Sequence, residues 1–311
     1  MIKEFIERLK EELNKRNYSD VDEIISYFDE LIKDRIDNGE TEEDIIRDLE
    51  DPSVIASSLV SEADTDSFAS ILKDFDDLKD SINKEGNTYS FDNINDLDID
   101  LVSANLGVFA SSVDKTKVTV TGKYASKITV EKDSDCLKIE QKNIKLNLGW
   151  PFFKASISSF VDDTKVIVEL PYTSYDELDI ENVSGETKLM DISFNEVNLE
   201  SVSGAIEMAN CQFERVAIES VSGVISSNSL RIQNELEVES VSGLVELNYL
   251  VADEISIETV SGNINLLLEG DSDDYCIHTE KIMDEQYIDN GGFRTLEIET
   301  VSGYINYSFI E

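Results

Sequence analysis

Carboxylates are the groups best supplied for chemistry in this 311-residue chain, with 67 Asp and Glu against 26 Lys and Arg. Two carboxylates flanking a bond can hydrolyse a glycoside, one as acid and the other as base or nucleophile, and a cluster can supply the oxygen ligands of calcium. Two sets fit those types. Glu181, Glu200, Glu219, Glu239, Glu258 and Glu299 each stand two residues ahead of a valine, while Asp271, Asp273 and Asp274 crowd one short segment. A residue that recurs in every repeat is explained by architecture, whereas catalysis needs a constellation assembled in one place. The first set therefore argues against an enzyme. The second lacks the spacing of an EF-hand loop, and the repeats are not Gly-Asp-rich calcium nonapeptides, so no metal or other cofactor is expected.

Other nucleophile and ligand chemistry lacks material. His278 is the one histidine, too few for a histidine-based zinc site and without a Ser or Cys signature beside it. Cys136, Cys211 and Cys276 are odd in number and widely spread, which suits neither a disulfide framework nor a Cys-x-x-Cys metal site. Buried free thiols are expected, with His278 on the surface.

The elements that position these residues announce themselves through Val-Ser-Gly, which begins at Val183, Val202, Val221, Val241, Val260 and Val301, at spacings of 19, 19, 20, 19 and 41. A unit of that length cannot bury its own apolar face and must stack on its neighbours. Ahead of each motif apolar and polar residues alternate, as in Val216, Ile218 and Ser220 against Ala217 and Glu219, the period of a half-buried strand. The glycine is expected to make the turn through positive φ, the motif serine to bond nearby backbone, and the valine to join the core. Each buried aliphatic contributes about 1.5–3 kcal/mol. That outweighs the repulsion of stacked glutamates, about 0.9 kcal/mol per pair at strand spacing in water. The interval of 41 is two periods, so one coil is expected to have lost its motif to an insertion at about 269–292, ending in the turn signal Asn290-Gly291-Gly292. The expected fold class is mainly β: a β-solenoid, β-helix-like with about 20 residues per coil, occupying residues 88–311 and carrying a small all-α domain at its N-terminus.

That helical domain is read from a change of period. Ile2, Phe5, Ile6, Leu9 and Leu13 share one helical face, and Ile24, Ile25, Phe28, Leu31, Ile32 and Ile36 form a second stripe. Ser19 and Gly39 bound the second helix, Thr41 opens a third, and Asp51-Pro52 caps a fourth. Four short helices over residues 1–62 follow. Phe68, Ile71, Leu72, Phe75 and Leu78 predict an amphipathic linker helix within 63–87 that covers the open first coil. Trp150, Phe152 and Phe153 form the one conspicuous aromatic cluster, a candidate binding platform beside the alternative of a packed loop. Tyr304 to Ile310 is a terminal strand, either covered by the insertion or meeting a second molecule end to end.

Charge narrows the partners. A net −41 gives no basic face for phosphates, so direct nucleic-acid binding is not expected and a basic partner suits better. Charges interrupt the apolar core that a signal peptide needs near the N-terminus, and no run approaches a membrane span. A cytoplasmic location is expected.

Residues 1–62 resemble the bacterial HAAS helical domain through Tyr27-Phe28-Asp29-Glu30, Gly39 with its acidic turn, and Leu49-Glu50-Asp51-Pro52 with Ile55, Ala56 and Leu59; Glu50 stands where that family usually has Gly. Residues 88–311 resemble the bacterial putative adhesin family of unknown function, a β-solenoid group, through Val168-Glu169-Leu170-Pro171 and Leu178 to Gly185. Neither resemblance brings an enzymatic motif. The HAAS resemblance implies a regulatory setting and, as partner, a PadR-like transcription regulator. The function expected is a non-enzymatic protein-binding scaffold, with an adhesin-like envelope protein as the alternative and a carbohydrate-active solenoid enzyme third. Tyr27 and Phe28, with Trp150, Phe152 and Phe153, are the candidate partner surface.

Overall fold

A computed structural model describes residues 2–15, 25, 86–141, 164–281, 284–289 and 291–310. The chain divides into two units, with the N-terminal helix in one and every strand in the other. The helix, α1 (Ile2–Lys15), buries Phe5 and Leu9, one turn apart on the predicted stripe. Of the residues expected in the second, third and fourth helices only Ile25 is described, and it is helical; Tyr27, Phe28 and the Trp150 cluster lie outside the described residues. Strand structure already begins at Asn87, the last residue assigned to the linker helix.

Seventeen strands make up the described sheet. The first seven are β1 (Asn87–Phe91), β2 (Asp96–Leu101), β3 (Asn105–Ser111), β4 (Thr116–Thr121), β5 (Ile128–Asp133), β6 (Cys136–Gln141) and β7 (Lys165–Pro171). The repeats follow as β8 (Ser174–Asn182), β9 (Thr187–Met190), β10 (Ser193–Ser201), the long β11 (Ile206–Val251), β12 (Glu254–Thr259) and β13 (Asn263–Glu269). β14 (Tyr275–Lys281), β15 (Asp284–Asp289), β16 (Arg294–Thr300) and β17 (Ile305–Ile310) close the chain.

Pairing sorts these into two rows. An outbound row, whose strands lead into the motif, runs β6, β2, β8, β10, β11 by parallel pairing, then β11, β12, β16, β14. A return row runs β7, β3, β9, β11, then β11, β13, β17. Antiparallel strands finish the ends: β5 on β6, β4 and β1 beyond β7, and β15 on β14. Inward positions of both rows form one apolar core, including Leu97, Leu178, Val197 and Ile255 from the outbound row with Leu106, Leu189, Leu247 and Leu266 from the return row. The core is mainly aliphatic because successive strands keep their register, placing like residues on like.

The structure corrects three expectations. First, no coil has lost its motif: β16 pairs directly with β12, Ile257 opposite Ile298, so the Val260 and Val301 corners are neighbours. The intervening residues form the β14–β15 hairpin on the far side of β16. Second, the motif valines face outward, with Val241, Val260 and Val301 46%, 49% and 49% exposed. Strand alternation places the preceding Ser201, Ser240 and Thr259 inside and the valine outside. Third, Cys136 and Cys276 are only half-buried; Cys211 alone of the free thiols is buried. Burial pushes its thiol up to about 12.

Candidate functional site

The corner at each motif is the most regular surface on the strand unit. Glycine is required there by close approach. A β-carbon on Gly204 would lie 2.1 Å from the Gly185 carbonyl oxygen, and one on Gly185 would lie 2.1 Å from that of Ala104. Gly243 and Gly303 meet the glycine before them at the same distance. Positive φ is a second demand only at Gly223, Gly243 and Gly303. At Gly185, Gly204 and Gly262 the glycine N–H instead donates to Asn182 Oδ1, Ser201 Oγ and Thr259 Oγ1 at 3.2, 3.0 and 2.8 Å.

Each corner bonds to the one before it. The N–H groups of Ser184, Ser203, Ser222, Ser261 and Ser302 donate to the carbonyls of Val102, Val183, Val202, Val241 and Val260 at 2.8–3.0 Å. Hydroxyls reinforce the same acceptors, as Ser184 Oγ does on Val102 at 2.9 Å. The column begins one coil earlier than the Gly pattern predicts, at Val102-Ser103-Ala104, where a β-carbon is tolerated in place of the missing glycine. Its two leading N–H groups, of Val102 and Ser103, donate to Gln141 Oε1 at 2.8 and 3.1 Å. At the other end Lys281 Nζ donates to the Gly303 carbonyl at 2.5 Å. An acceptor thus caps the donor end and a donor caps the acceptor end.

Beside the outward valines runs a ladder of carboxylates. Register places Glu140, Asp100, Glu181, Glu200 and Glu219 on successive strands, and then Glu239, Glu258, Glu299 and Glu280. The six motif glutamates were legible in sequence; Asp100, Glu140 and Glu280 were not, because their strands join the row out of chain order. Desolvation on the sheet and then neighbouring acids raise the carboxyls of Asp100, Glu181, Glu219 and Glu299 above the usual range. A second column two residues away is partly neutralised. Lys138 bonds Asp98 at 2.9 Å, Asn198 bonds Asp179 at 2.7 Å, and His278 Nδ1 lies 3.1 Å from Glu297 Oε1. Among the described residues the acidic line next to the valines has no such side-chain partners, and the two features together form a charged edge beside an apolar one.

The remaining candidates stay apart from this surface. Asp271 accepts from the Asp273 N–H at 3.1 Å and caps a short turn with Asp274, and its cluster serves that turn. Among the described residues no group of three or more His, Cys, Asp or Glu side chains is placed to hold a metal, and no helix is long and apolar enough to cross a membrane. An open depression of about 240 Å³ lies at the opposite turn, lined by residues such as Tyr172, Asp191 and Asn210. There the backbone is left-handed at Asp191, Asn210, Ser229 and Tyr249, φ 53–60°. That column escaped the sequence reading because its residue types differ from coil to coil. His278 is half-buried between Glu297 and the edge of the Tyr287 ring.

Residues 94–281 match the Toastrack DUF4097 family and residues 4–58 match HAAS. No curated protein matches the chain. Similar crystal structures include a putative adhesin from Bacteroides fragilis NCTC 9343, 15% identical, covering 73% of this chain and 98% of its own at TM-score 0.41. Another is a putative cell adhesion protein from Clostridium sporogenes ATCC 15579, 12% identical, covering 73% and 100% at 0.37. A third is a putative lipid binding protein from Parabacteroides distasonis ATCC 8503, 13% identical, covering 74% and 98% at 0.37.

Proposed function

This chain belongs to the Toastrack DUF4097 family, and on that premise we propose that it is a non-enzymatic binding protein, a rigid β-solenoid scaffold in a bacterial regulatory module. The observation that carries the reading is the corner itself, where an unbroken carboxylate ladder runs beside a line of half-exposed valines. Acids alone make a solvated face; acids flanking an apolar line suit a basic, amphipathic protein partner, charge steering the encounter and the valines supplying buried area. Parallel register holds both lines straight, so the surface needs no reorganisation on binding.

The HAAS match at residues 4–58 supports a second docking element, for which a PadR-like transcription regulator is the partner class. The proposal divides the chain into a HAAS domain, a linker and the solenoid, and sets it in the cytoplasm. Affinity purification from the native host tests it, comparing the wild-type chain with a Glu200→Gln, Glu219→Gln, Glu239→Gln variant. A basic protein recovered with the first and lost with the second supports the reading; an identical set of proteins from both overturns it. Labelling of intact cells that reaches the chain would instead favour the adhesin-like alternative.

A further inference from the structure

The two rows do not end together. The outbound row continues past β16 by β14 and β15, whereas the return row stops at β17, which pairs among the described strands with β13 alone. The carbonyls of Tyr304 and Ile310 accept from the N–H groups of Ile264 and Gly270. By alternation, Ile305, Tyr307 and Phe309 turn their own N–H and C=O groups toward the open edge. Their side chains face inward yet remain half-buried. Ile288 on β15, in register with the inward Ile277, is 38% exposed. The arrangement is a step two strand spacings deep, about 10 Å, with backbone on its floor that no described strand pairs and with Ile288 on its wall. Ile305–Ile310 carries no charge and no proline, the composition that natural proteins keep off exposed edges.

We propose that this step is a strand-addition site, and that its occupant is an extended segment of a protein partner, apolar at alternate positions and flanked by Lys or Arg. The edge offers backbone bonds for affinity and inward-facing gaps for alternate side chains. The chain runs from Gly270, bonded to Ile310, directly into Asp271, Asp273 and Asp274, while the nearby cations are engaged. Lys281 caps the Gly303 carbonyl, and Arg294 lies over the Tyr275 and Phe293 rings. Basic flanks therefore complement the rim. A second copy does not fit. It brings a further −41 charge, and a two-fold that joins β17 to β17 with their inward faces continuous sets the β14 of one copy at the level of the other's β16.

The test uses the full chain and a synthetic peptide, Lys-Lys-Val-Thr-Val-Thr-Val-Lys-Lys, with residue-level amide exchange as readout. Saturating peptide should slow exchange at Ile305, Tyr307 and Phe309 by about tenfold or more. The same peptide N-methylated on alternate residues, and one flanked by glutamates, should lose the effect. Equal protection by the N-methylated or glutamate-flanked peptide overturns the proposal, as does unchanged exchange at millimolar peptide. Protection that grows with protein concentration in the absence of peptide also overturns it, assigning the edge to a second copy.

Discussion

At Gly204 a β-carbon would approach the Gly185 carbonyl oxygen to 2.1 Å, a contact that only backbone movement relieves. Gly204→Ala should therefore lower stability by about 3 kcal/mol or more, read as a drop in urea midpoint. Two other residues act in the opposite sense. Tyr249 holds φ 55° with a bulky side chain 39% exposed, and left-handed backbone costs a non-glycine residue about 1–2 kcal/mol. Tyr249→Gly should raise the midpoint, by roughly 1 kcal/mol once glycine's added unfolded-chain entropy is subtracted. Ser227 lies one period on from Met208 and one before Leu247, both fully buried, and its own buried hydroxyl has no bonding partner among the described residues. Removing it in Ser227→Ala should stabilise by about 1 kcal/mol. A lower midpoint would mean that the hydroxyl is satisfied in solution.

At the scale of the element, a corner column has ends, as a helix does, and Gln141 serves the donor end. Gln141→Ala strands the Val102 and Ser103 N–H groups, which should cost about 1–2 kcal/mol. Amide exchange should accelerate at those two residues before it does at Ser203, in mid-column. How much of this was legible follows from what the repeat encodes. Glutamate, aliphatic strand and glycine recur at fixed offsets, so the outbound row and the acidic ladder could be read directly. The caps could not, because each occurs once and its strand reaches the column out of chain order. The outward valine was misread because alternation was carried only as far as Ser220 and not one residue further, around the corner. The coil at Val102-Ser103-Ala104 was hidden by one methyl group. Beyond α1, most of the HAAS segment, with Tyr27 and Phe28, and the Trp150 cluster fall outside the described residues, and only the family match speaks to the first of these.

Over the whole strand unit, carboxylates on the outbound row weigh on the response to pH. Asp96, Asp100, Glu177, Glu181, Glu219 and Glu299 all have raised folded values, from burial on the sheet at most of them and first from Asp179 at Glu177. Acids that hold protons more tightly when folded favour the folded state at low pH. Their contribution is fully present below the ordinary carboxylate range and is lost as pH rises through the raised values. The melting temperature should therefore climb as pH falls from 7 through the raised values toward the ordinary carboxylate range, and added salt at pH 7 should recover part of the same gain by screening. A melting temperature that falls steadily on acidification would show that depressed carboxylates elsewhere dominate. The two column caps carry one more implication. With Gln141 closing the donor end and Lys281 the acceptor end, every coil between them meets its neighbours on equal terms, so length becomes a heritable variable. Duplicating the stretch from Val202 to Ser220 should give a longer stack of repeats that still folds, with neither end redesigned.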